Sequence, residues 1–572
     1  MVNSLLRKSI FLFSIACLFV VSGCKQKNKE HTGQQQKIKN TWFRNPLIYN
    51  VDVAAFKDSD GDGRGDFKGL IQKLGYLKDL GVGVIWLSPF QPSPGNDDGY
   101  DITDYYGIDG KLGTKEDFKE FMRQAKEKKM RVIMDIVLNH TSIAHPWYKA
   151  ARADSLSKYH SWYVWANSKP KDWNQGMVFP GVQTETWTYD EIAKQYYFHR
   201  FYDFQPDLNY QNKEVQQEAA QVLSYWLKQG LDGFRLDAVP FIIDIPESGA
   251  KNPKHMFDIL TMLRDTVRAI KPDALMLGEA NVTAKENKDY FGAQGNRLQM
   301  MFNFYADQFL FYALAEGKSK PFTKALEQFR EKPANSQWAF FLRNHDEIDL
   351  GRLSSSQRQK VFDIFGPQTN MQLYKRGIRR RLAPMLENPA RIKMVYSLLF
   401  SLPGAPVLRY GEELGMGDDL TLQERLSVRT PMQWDGQKNG GFSTAVQTFR
   451  PVISLGNYGY PFVNADKELK DTASLLNFIK NIAALRKLHP EIGLGKWEVL
   501  SSASPVAVIR YTYQHRQLIT IHNFSADSQH VVLDKMIAGQ YKLKPLINGK
   551  GITSFQQINL KGYGFEWYTL VN

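Results

Sequence analysis

Four short segments of the sequence bring carboxylates together with histidine or arginine, each directly after an apolar run. They are Asp135–His140 (DIVLNH), Gly233–Asp237 (GFRLD), Gly278–Glu279 (GE) and Asn344–Asp346 (NHD). Carboxylates in different surroundings can divide two roles, one attacking as a nucleophile and the other holding a proton for a leaving group. The segments therefore predict acid–base or covalent chemistry carried by their carboxylates.

A second acidic segment has a different spacing. In Asp58–Asp66 (DSDGDGRGD) the acidic residues occupy alternate positions, a pattern that places oxygen ligands around a hard cation. The twelfth position is Gly69, where an EF-hand needs a bidentate glutamate, so this segment is not an EF-hand. It is either a cation loop or a solvated acidic turn.

The elements that must position the carboxylates resemble repeated strand–helix units. Eight β-branched or apolar runs alternate with amphipathic helical patterns, which is typical of α/β proteins with a parallel sheet. The predicted strands are Leu47–Asp52, Val84–Ser88, Arg131–Leu138, Gly233–Asp237, Leu275–Glu279, Met300–Asn303, Ala339–Asn344 and Pro406–Tyr410. Eight strands fit a TIM (β/α)8 barrel, whose active sites lie at the C-terminal strand ends. We predict this barrel over 41–138 and 211–493.

Two further domains are predicted from changes of pattern. Residues 139–210 contain no clean strand–helix unit and are rich in Trp and Tyr, which indicates a domain inserted after the third strand. From residue 494 the apolar residues alternate, as in Val506–Tyr511, so we predict a C-terminal all-β sandwich domain over 494–572.

The N-terminus has the features of an export signal. Arg7 and Lys8 precede the apolar run Ile10–Val21, which is too short to span a membrane comfortably. The run ends in VSGC, which resembles a bacterial lipobox and implies lipidation of Cys24, an ordinary cleaved signal being the alternative. Residues 1–24 are then a lipoprotein signal peptide and 25–40 a polar tether. The expected location is periplasmic or on the cell surface, with the membrane as partner only through Cys24.

The net charge does not favour a nucleic-acid partner. The formal charge is +14, and the tether with Arg7 and Lys8 contributes seven basic residues and one acidic residue, or +6, which leaves +8 on the folded part. This charge is too diffuse to indicate nucleic-acid binding. The sequence does not determine the oligomeric state.

The four carboxylate segments, in this order and spacing, resemble the conserved regions of the α-amylase family, glycoside hydrolase family 13. The resemblance implies cleavage of an α-glucosidic bond with retention, with Asp237 as nucleophile and Glu279 as acid/base. Arg235, two residues before Asp237 on the same strand, is expected to keep Asp237 ionised. Glu279 is expected to lie shielded from this cation and to hold its proton.

The resemblance also implies residues that bind the substrate and a metal. Asp346 matches the family's third carboxylate, which binds hydroxyls of the sugar being cleaved, and His140 and His345 match two imidazoles around that sugar. Asp97 and Tyr100 match an Asp and Tyr at the same subsite. The acidic loop matches one that holds structural Ca2+, and the implied ligands are Asp58, Asp60, Asp62, Asp66 and the carbonyl of Arg64.

Longer segments indicate the subgroup. QPDLN at 205–209 resembles oligo-1,6-glucosidases, and the segments 196–204, 377–384 and 402–434 resemble trehalose synthases. These imply a small α-glucoside substrate, either maltose isomerised to trehalose or short maltooligosaccharides hydrolysed. Residues Ile348–Arg352 depart from the trehalose synthase pattern, which leaves acceptor choice open. An inactive barrel used for binding is a third alternative, disfavoured because all three carboxylates are present.

Overall fold

The computed structural model describes residues 41–244, 255–501, 505–533, 541–547 and 558–571. Within these ranges, eight parallel strands close into a barrel, so the predicted α/β barrel fold is confirmed. The predicted signal peptide, Cys24 and the tether lie outside the described residues. No helix in the described ranges has both the length and the apolar character needed to cross a bilayer.

The barrel strands, numbered here β1 to β8 along the chain, overlap all eight predicted runs. They are β1 Leu47–Val51, β2 Val82–Leu87, β3 Arg131–Ile136, β4 Gly233–Leu236, β5 Leu275–Gly278, β6 Met300–Phe302, β7 Gln337–Phe340 and β8 Ala405–Arg409. Several strands end earlier than predicted, β7 by four residues. The predicted site residues after β4, β5 and β7 therefore stand just beyond the hydrogen-bonded ladder, on loops at the C-terminal end of the barrel.

Alternate residues of the barrel strands fill its interior. This inner core contains Ile48, Val84, Trp86, Ile133, Leu275, Leu277, Met300, Phe302, Phe341 and Val407, and all of them are buried. Trp86 packs on Phe302 with a centroid separation of 5.3 Å, below the chemistry-bearing end of the barrel. The interior is thus a packed core and not a channel, and it forms a rigid floor for any site above it.

Helices surround the barrel and bury their apolar faces against the outside of the strands. The helices of six or more residues are Phe67–Gln72, Leu74–Leu80, Lys115–Glu127, Pro146–Ala153, Lys213–Lys228, Asp258–Ile270, Phe304–Glu316, Lys320–Gln328, Ser355–Phe365, Pro389–Ser401, Ala465–Lys470 and Leu475–Leu488. Lys115–Glu127 begins with a capping box in which Thr114 and Asp117 exchange hydrogen bonds. Short helices Val53–Phe56, Val239–Ile243, Asn287–Phe291, Leu382–Leu386 and Glu491–Leu494 lie in the connections.

The segment between β3 and β4 forms a small unit of its own. It contains the helix Pro146–Ala153 and a three-stranded antiparallel sheet of Trp165–Ala166, Gln195–Phe198 and Trp187–Asp190. Its last part returns to the barrel, where residue 207 bridges to His140 in antiparallel fashion. The segment therefore stands at the C-terminal end of β3, beside the predicted site.

The last part of the chain forms antiparallel sheets. One sheet has five strands in the order Lys496–Ser501, Val506–Tyr513, Arg516–Asn523, Phe565–Val571 and Lys542–Pro545, and a second pairs Gln529–Val531 with Ile558–Leu560. Side chains of both sheets share a buried cluster that includes Val508, Ile519 and Leu560. This is the expected C-terminal all-β architecture.

Candidate active site

A single buried arginine holds three carboxylates at the C-terminal end of the barrel. Nη1 of Arg235 lies 2.6 Å from Oδ1 of Asp135 and 2.6 Å from Oδ1 of Asp237, and its Nη2 lies 2.8 Å from Oε2 of Glu279. The other oxygen of Asp135, Oδ2, accepts hydrogen bonds from the indole N–H of Trp86 and the hydroxyl of Tyr100. Asp237 and Glu279 are thereby fixed beside one another.

The expected shielding of Glu279 from Arg235 was wrong. Strand β5 lies next to β4, with Arg235 opposite Leu277, so the guanidinium reaches Glu279 across the strand pair. Glu279 nevertheless has the character of a proton holder. Burial raises its pKa to about 7, although the charge of Arg235 opposes this, and the negative charges of Asp237 and Asp346 add to the increase.

Asp237 shares this environment but has the lower pKa of the two. Burial raises the pKa of Asp237 to about 6, while the charge of Arg235 and its hydrogen bond act in the opposite direction. Arg235 therefore lowers the pKa of both groups, and the separation expected from the sequence is present but small. Both groups therefore titrate closer to neutral pH than free carboxyl groups do.

A strained turn follows the predicted nucleophile. Ala238 has φ 51° and ψ 38°, in the left-handed region that residues with a Cβ seldom adopt. In this conformation its N–H donates to Oε2 of Glu279 at 3.1 Å, and the next N–H, of Val239, donates to the carbonyl of Glu279. The turn thus ties the ends of β4 and β5 together, a use of backbone strain that is frequent at active sites.

The two predicted histidines stand on either side of Tyr100. The Tyr100 hydroxyl lies 2.6 Å from Nε2 of His345, and the two rings stack with a centroid separation of 5.3 Å. Nε2 of His140 lies 3.1 Å from the carbonyl of Tyr100. Burial lowers the pKa of His140 to about 4 and that of His345 well below its usual value, so both rings are neutral at pH 7.

Two arginines bind the remaining predicted carboxylates. Arg425 donates to Oδ1 of Asp97 at 2.6 Å and to Oδ1 of Asp346 at 2.9 Å, and Arg429 donates to the same oxygen of Asp346 at 3.0 Å. Burial would raise the pKa of Asp346, but the charges of Arg425 and Arg429 outweigh it and hold that pKa far below its usual value. Burial raises the pKa of Asp97 despite Arg425.

All eight predicted catalytic and substrate-binding residues belong to this arrangement. Seven of them line one cavity of about 430 Å3, namely Asp97, Tyr100, His140, Asp237, Glu279, His345 and Asp346. Arg235 lies beneath and contacts Asp237 and Glu279. A cavity of this size is within the usual range of roughly 300–1,000 Å3 for small-molecule sites.

The sequence reasoning missed several residues of the cavity. Arg425 has no strand or repeated motif around it, and nothing in its local sequence indicates that it bridges Asp97 and Asp346. Glu347, Asp349 and Arg376 also line the cavity and form an ion-pair group in which Arg376 contacts both carboxylates. Only their proximity in the fold reveals them, apart from Glu347, which directly follows Asp346.

The acidic loop after β1 brings together three of the four predicted metal-ligating aspartates. Carboxylate oxygens of Asp58, Asp60 and Asp66 lie within 4.8 Å of one another, and this group does not include Asp62, whose Oδ1 accepts the backbone N–H of Arg64. Gly63 (φ 94°) donates its N–H to Asp58, and a Cβ there would stand 2.4 Å from the carbonyl of residue 447. The loop conformation therefore requires this glycine.

Comparison with known proteins identifies the family of this site. The family model for the α-amylase catalytic domain matches residues 50–373 and 375–495. The chain is 37% identical to trehalose synthase from Pimelobacter sp. over 93% of this chain and 96% of the relative. It belongs to the α-amylase family.

Other members of the α-amylase family show the same relationship. Trehalose synthase/amylase TreS of Mycobacterium tuberculosis is 36% identical over 93% of this chain and 90% of its own length. The crystal structure of trehalose-6-phosphate hydrolase from Bacillus licheniformis superposes with a TM-score of 0.76 and 26% identity, covering 93% of this chain and all of that chain. The predicted family and its enzymatic character are therefore confirmed, and the protein is an α-glucosidase or transglucosidase.

Replacement of Asp237 by Asn should leave the fold intact and reduce turnover of an aryl α-glucoside by about 10^4-fold or more, because the amide cannot form a glycosyl–enzyme bond. The exposed carboxylate of Asp104 provides the control, and Asp104→Asn should retain the wild-type rate. Thermal melting of both variants checks folding. A D237N rate within tenfold of wild type would contradict the role of Asp237.

The pH dependence of kcat/KM should be bell-shaped. Turnover needs ionised Asp237, with a pKa of about 6, and protonated Glu279, with a pKa of about 7, so the rate should fall below about pH 6 and above about pH 7. Glu279→Gln, assayed on a dinitrophenyl α-glucoside whose leaving group needs no proton, should lose the alkaline limb of the glycosylation step. An unchanged alkaline limb in that variant would assign the limb to another group.

Proposed function

We propose that the protein converts maltose into trehalose through a covalent glucosyl–enzyme. Asp237 attacks the anomeric carbon of the non-reducing glucose while Glu279 gives its proton to the departing oxygen, which releases the second glucose inside the pocket. That glucose turns and attacks through its own anomeric hydroxyl. Glu279 takes up the proton of this hydroxyl, and the bond to Asp237 breaks. Asp97, Tyr100, His140, Asp346 and His345 are proposed to hold the first sugar.

The observation that carries this proposal is the attachment of the inserted segment to two other loops beside the cavity. The Tyr202 hydroxyl, on the inserted segment, hydrogen-bonds Glu424 and lies 3.3 Å from the hydroxyl of Tyr374. On a second side, Arg376 donates to the carbonyl of Val178 at 2.8 Å. The guanidinium of Arg425 lies over the ring of Phe179, with its Cζ 4.7 Å from the ring centroid.

These contacts join the inserted segment to loops after β7 and β8. We infer that these contacts allow the pocket to close around the substrate, which would retain the released glucose at a high effective concentration next to the intermediate and limit the entry of water. Retention favours transfer over hydrolysis. The names of the Pimelobacter and Mycobacterium relatives agree with this reaction.

Hydrolysis is the second candidate, and the acceptor side of the cavity favours it. Asp349 accepts a hydrogen bond from Asn281 at 2.6 Å, and Arg352 lines the cavity. Both belong to the segment Ile348–Arg352 that departs from the trehalose synthase pattern. If the segment Ile348–Arg352 holds the released glucose poorly, water reaches the intermediate and the enzyme acts as an α-glucosidase.

Maltose given to the purified protein should yield trehalose as the main product, with free glucose as a minor one. Labelled glucose added to the medium should scarcely enter the trehalose, because transfer takes place within one closed site. Tyr202→Phe, which removes the hydroxyl that binds Glu424 and keeps the ring, should increase the glucose fraction. If glucose dominated from the earliest time points, or if labelled glucose entered the trehalose freely, the result would contradict isomerisation within a closed site and favour hydrolysis.

We also propose that the acidic loop holds Ca2+. The donor set fits a hard cation, since the converging groups are carboxylates. The pKa of Asp60 is raised: a backbone hydrogen bond from Asp62 lowers it, but desolvation and repulsion by Asp62, Asp66 and Asp58 outweigh that bond. A bound cation would relieve this repulsion. The loop follows β1 and is distinct from the residues that contact the substrate pocket, so a structural role is proposed.

Chelation should lower the melting temperature and leave the initial rate at low temperature nearly unchanged, because bound Ca2+ stabilises only the folded state. Asp60→Asn should melt at a lower temperature than wild type in excess Ca2+ and respond less to chelator. Asp104→Asn serves again as the control with an unchanged response. Immediate and complete loss of rate on chelation would indicate a catalytic cation. An unchanged melting temperature would contradict the proposed Ca2+ site.

Our third proposal concerns the cellular location: the protein is an exported lipoprotein that is anchored to a membrane through Cys24. It is supported by the sequence VSGC after an apolar run and by the polar tether of 25–40. Cys24→Ser should move the protein from the membrane fraction to the soluble fraction, because the lipid is the proposed membrane-binding element. Persistence in the membrane fraction would point to another form of attachment.

A further inference from the structure

The turn that carries two of the predicted sugar-binding residues has a strained backbone. Asp97 and Tyr100 stand at its two ends, and the N–H of Tyr100 donates to the carbonyl of Asp97 at 3.0 Å. The central residues, Asp98 and Gly99, have φ 49° and 97°. Positive φ at both central positions is the pattern of a type I′ turn, and Asp98 has a Cβ that disfavours this conformation. A residue in this region keeps its conformation only where surrounding contacts fix it.

Two arginines fix the turn through the carboxylate of Asp98. Oδ1 of Asp98 accepts from Nη2 of Arg450 at 2.7 Å, and its Oδ2 accepts from Nη1 of Arg429 at 3.0 Å. Burial would raise the pKa of Asp98, but the charges and hydrogen bonds of Arg450 and Arg429 outweigh it and hold that pKa far below its usual value. Asp98 is therefore a fixed anion between two guanidiniums.

Arg450, from the loop after β8, also fixes Arg429. Nη1 of Arg450 donates to the backbone carbonyl of Arg429 at 2.7 Å, in addition to the shared contact with Asp98. Arg429 itself donates to the carbonyl of His345 at 2.8 Å and to Oδ1 of Asp346 at 3.0 Å. Arg450 is buried. It therefore supports the turn on one side of the predicted sugar site and the segment after β7 on the other.

We propose that Arg450 is a positioning residue for the first sugar. Arg450 and Asp98 are not among the described residues that line the cavity, so Arg450 acts through other side chains. Through Asp98 it holds the turn that presents Asp97 and Tyr100, and through Arg429 it holds the segment after β7. The inference rests on the proposed role of Asp97 and Tyr100 in binding the non-reducing glucose. It does not depend on whether maltose is isomerised or hydrolysed.

Loss of Arg450 should loosen the turn without unfolding it. Asp101 still accepts the N–H groups of Asn96 and Asp97, at 3.1 and 3.3 Å, and Arg429 still pairs with Asp98. The environment of the two reacting carboxylates is not altered directly. The expected result is therefore weaker binding of the sugar with little change in the chemical step.

Kinetics on an aryl α-glucoside test this expectation. Arg450→Met should raise KM and the inhibition constant for glucose by about tenfold or more, because a buried charge-assisted pair is lost. kcat should change much less, since binding that is equal in the ground and transition states affects only KM, and both limbs of the pH profile should stay in place. Arg450→Lys keeps the charge and should recover part of the loss. Unchanged KM and inhibition constant in R450M, or a fall in kcat alone, would overturn the proposal.

A double-mutant cycle tests the route through Asp98. Asp98→Asn should weaken glucose binding at least as much as R450M, and the double variant should bind glucose about as well as D98N alone. Fully additive losses would show that the two residues act independently and would overturn the proposal. Thermal melting checks the folding of each variant, and R450K takes the place of R450M in the cycle if R450M does not fold.

Two further variants separate this inference from the proposed function. Arg131→Met is the matched control, because Arg131 also pairs with two carboxylates, Asp232 and Asp273, but stands at the start of β3, at the opposite end of the barrel. It should keep the wild-type constants, and an equal loss in R131M would contradict the inference. If Asp97→Asn binds glucose as wild type does, the sugar-binding role of Asp97 fails and this inference fails with it. If D97N loses affinity and R450M does not, only this inference fails.

Discussion

The whole site depends on one buried cation, Arg235, which is held among three carboxylates. A guanidinium at the end of a packed barrel is stable only if negative charge surrounds it, and the carboxylates are acceptable there only because it is present. Burial raises the pKa values of Asp135, Asp237 and Glu279, and the single charge of Arg235 opposes this increase only in part. The titration of these groups is thereby moved towards neutral pH.

Asp346 shows the opposite effect, because neighbouring arginines lower its pKa. Arg425 and Arg429 hold this carboxylate fully ionised, and Arg429 continues the pairing to Asp98, which also binds Arg450. Asp346 therefore remains a permanent hydrogen-bond acceptor, suited to sugar hydroxyls, and adds negative charge that raises the pKa of Glu279. The three carboxylates that share one arginine therefore have raised pKa values, whereas Asp346, which pairs with two arginines, has a lowered pKa.

The proposed closure of the pocket depends on weaker and more distributed contacts. The inserted segment contacts barrel loops through a tyrosine hydroxyl, an arginine bond to a backbone carbonyl, the packing of Phe179 under Arg425 and a hydrogen bond from Gln205 to Asp97, in contrast with the paired ions around Asp346. Contacts of this type can break and form again as substrate enters and product leaves. The ion pairs around Arg235 and Asp346 are thus held firmly, whereas the contacts of the inserted segment can be released. This combination suits an enzyme that must exclude water and still exchange sugars.

The sequence by itself determined the eight strands and the identity of the central carboxylates. Strand periodicity and the order of DIVLNH, GFRLD, GE and NHD are local features, and apolar runs buried on both faces persist in any packing of the chain. The contact of Arg235 with Glu279 was decided only by the tertiary structure, because the register between β4 and β5 sets that distance. The same holds for Arg425, which meets Asp97 and Asp346 from more than 70 residues away along the chain. Charge pairing across loops leaves no periodic trace in sequence, so the partners, and with them the pKa values, follow only once the barrel has closed.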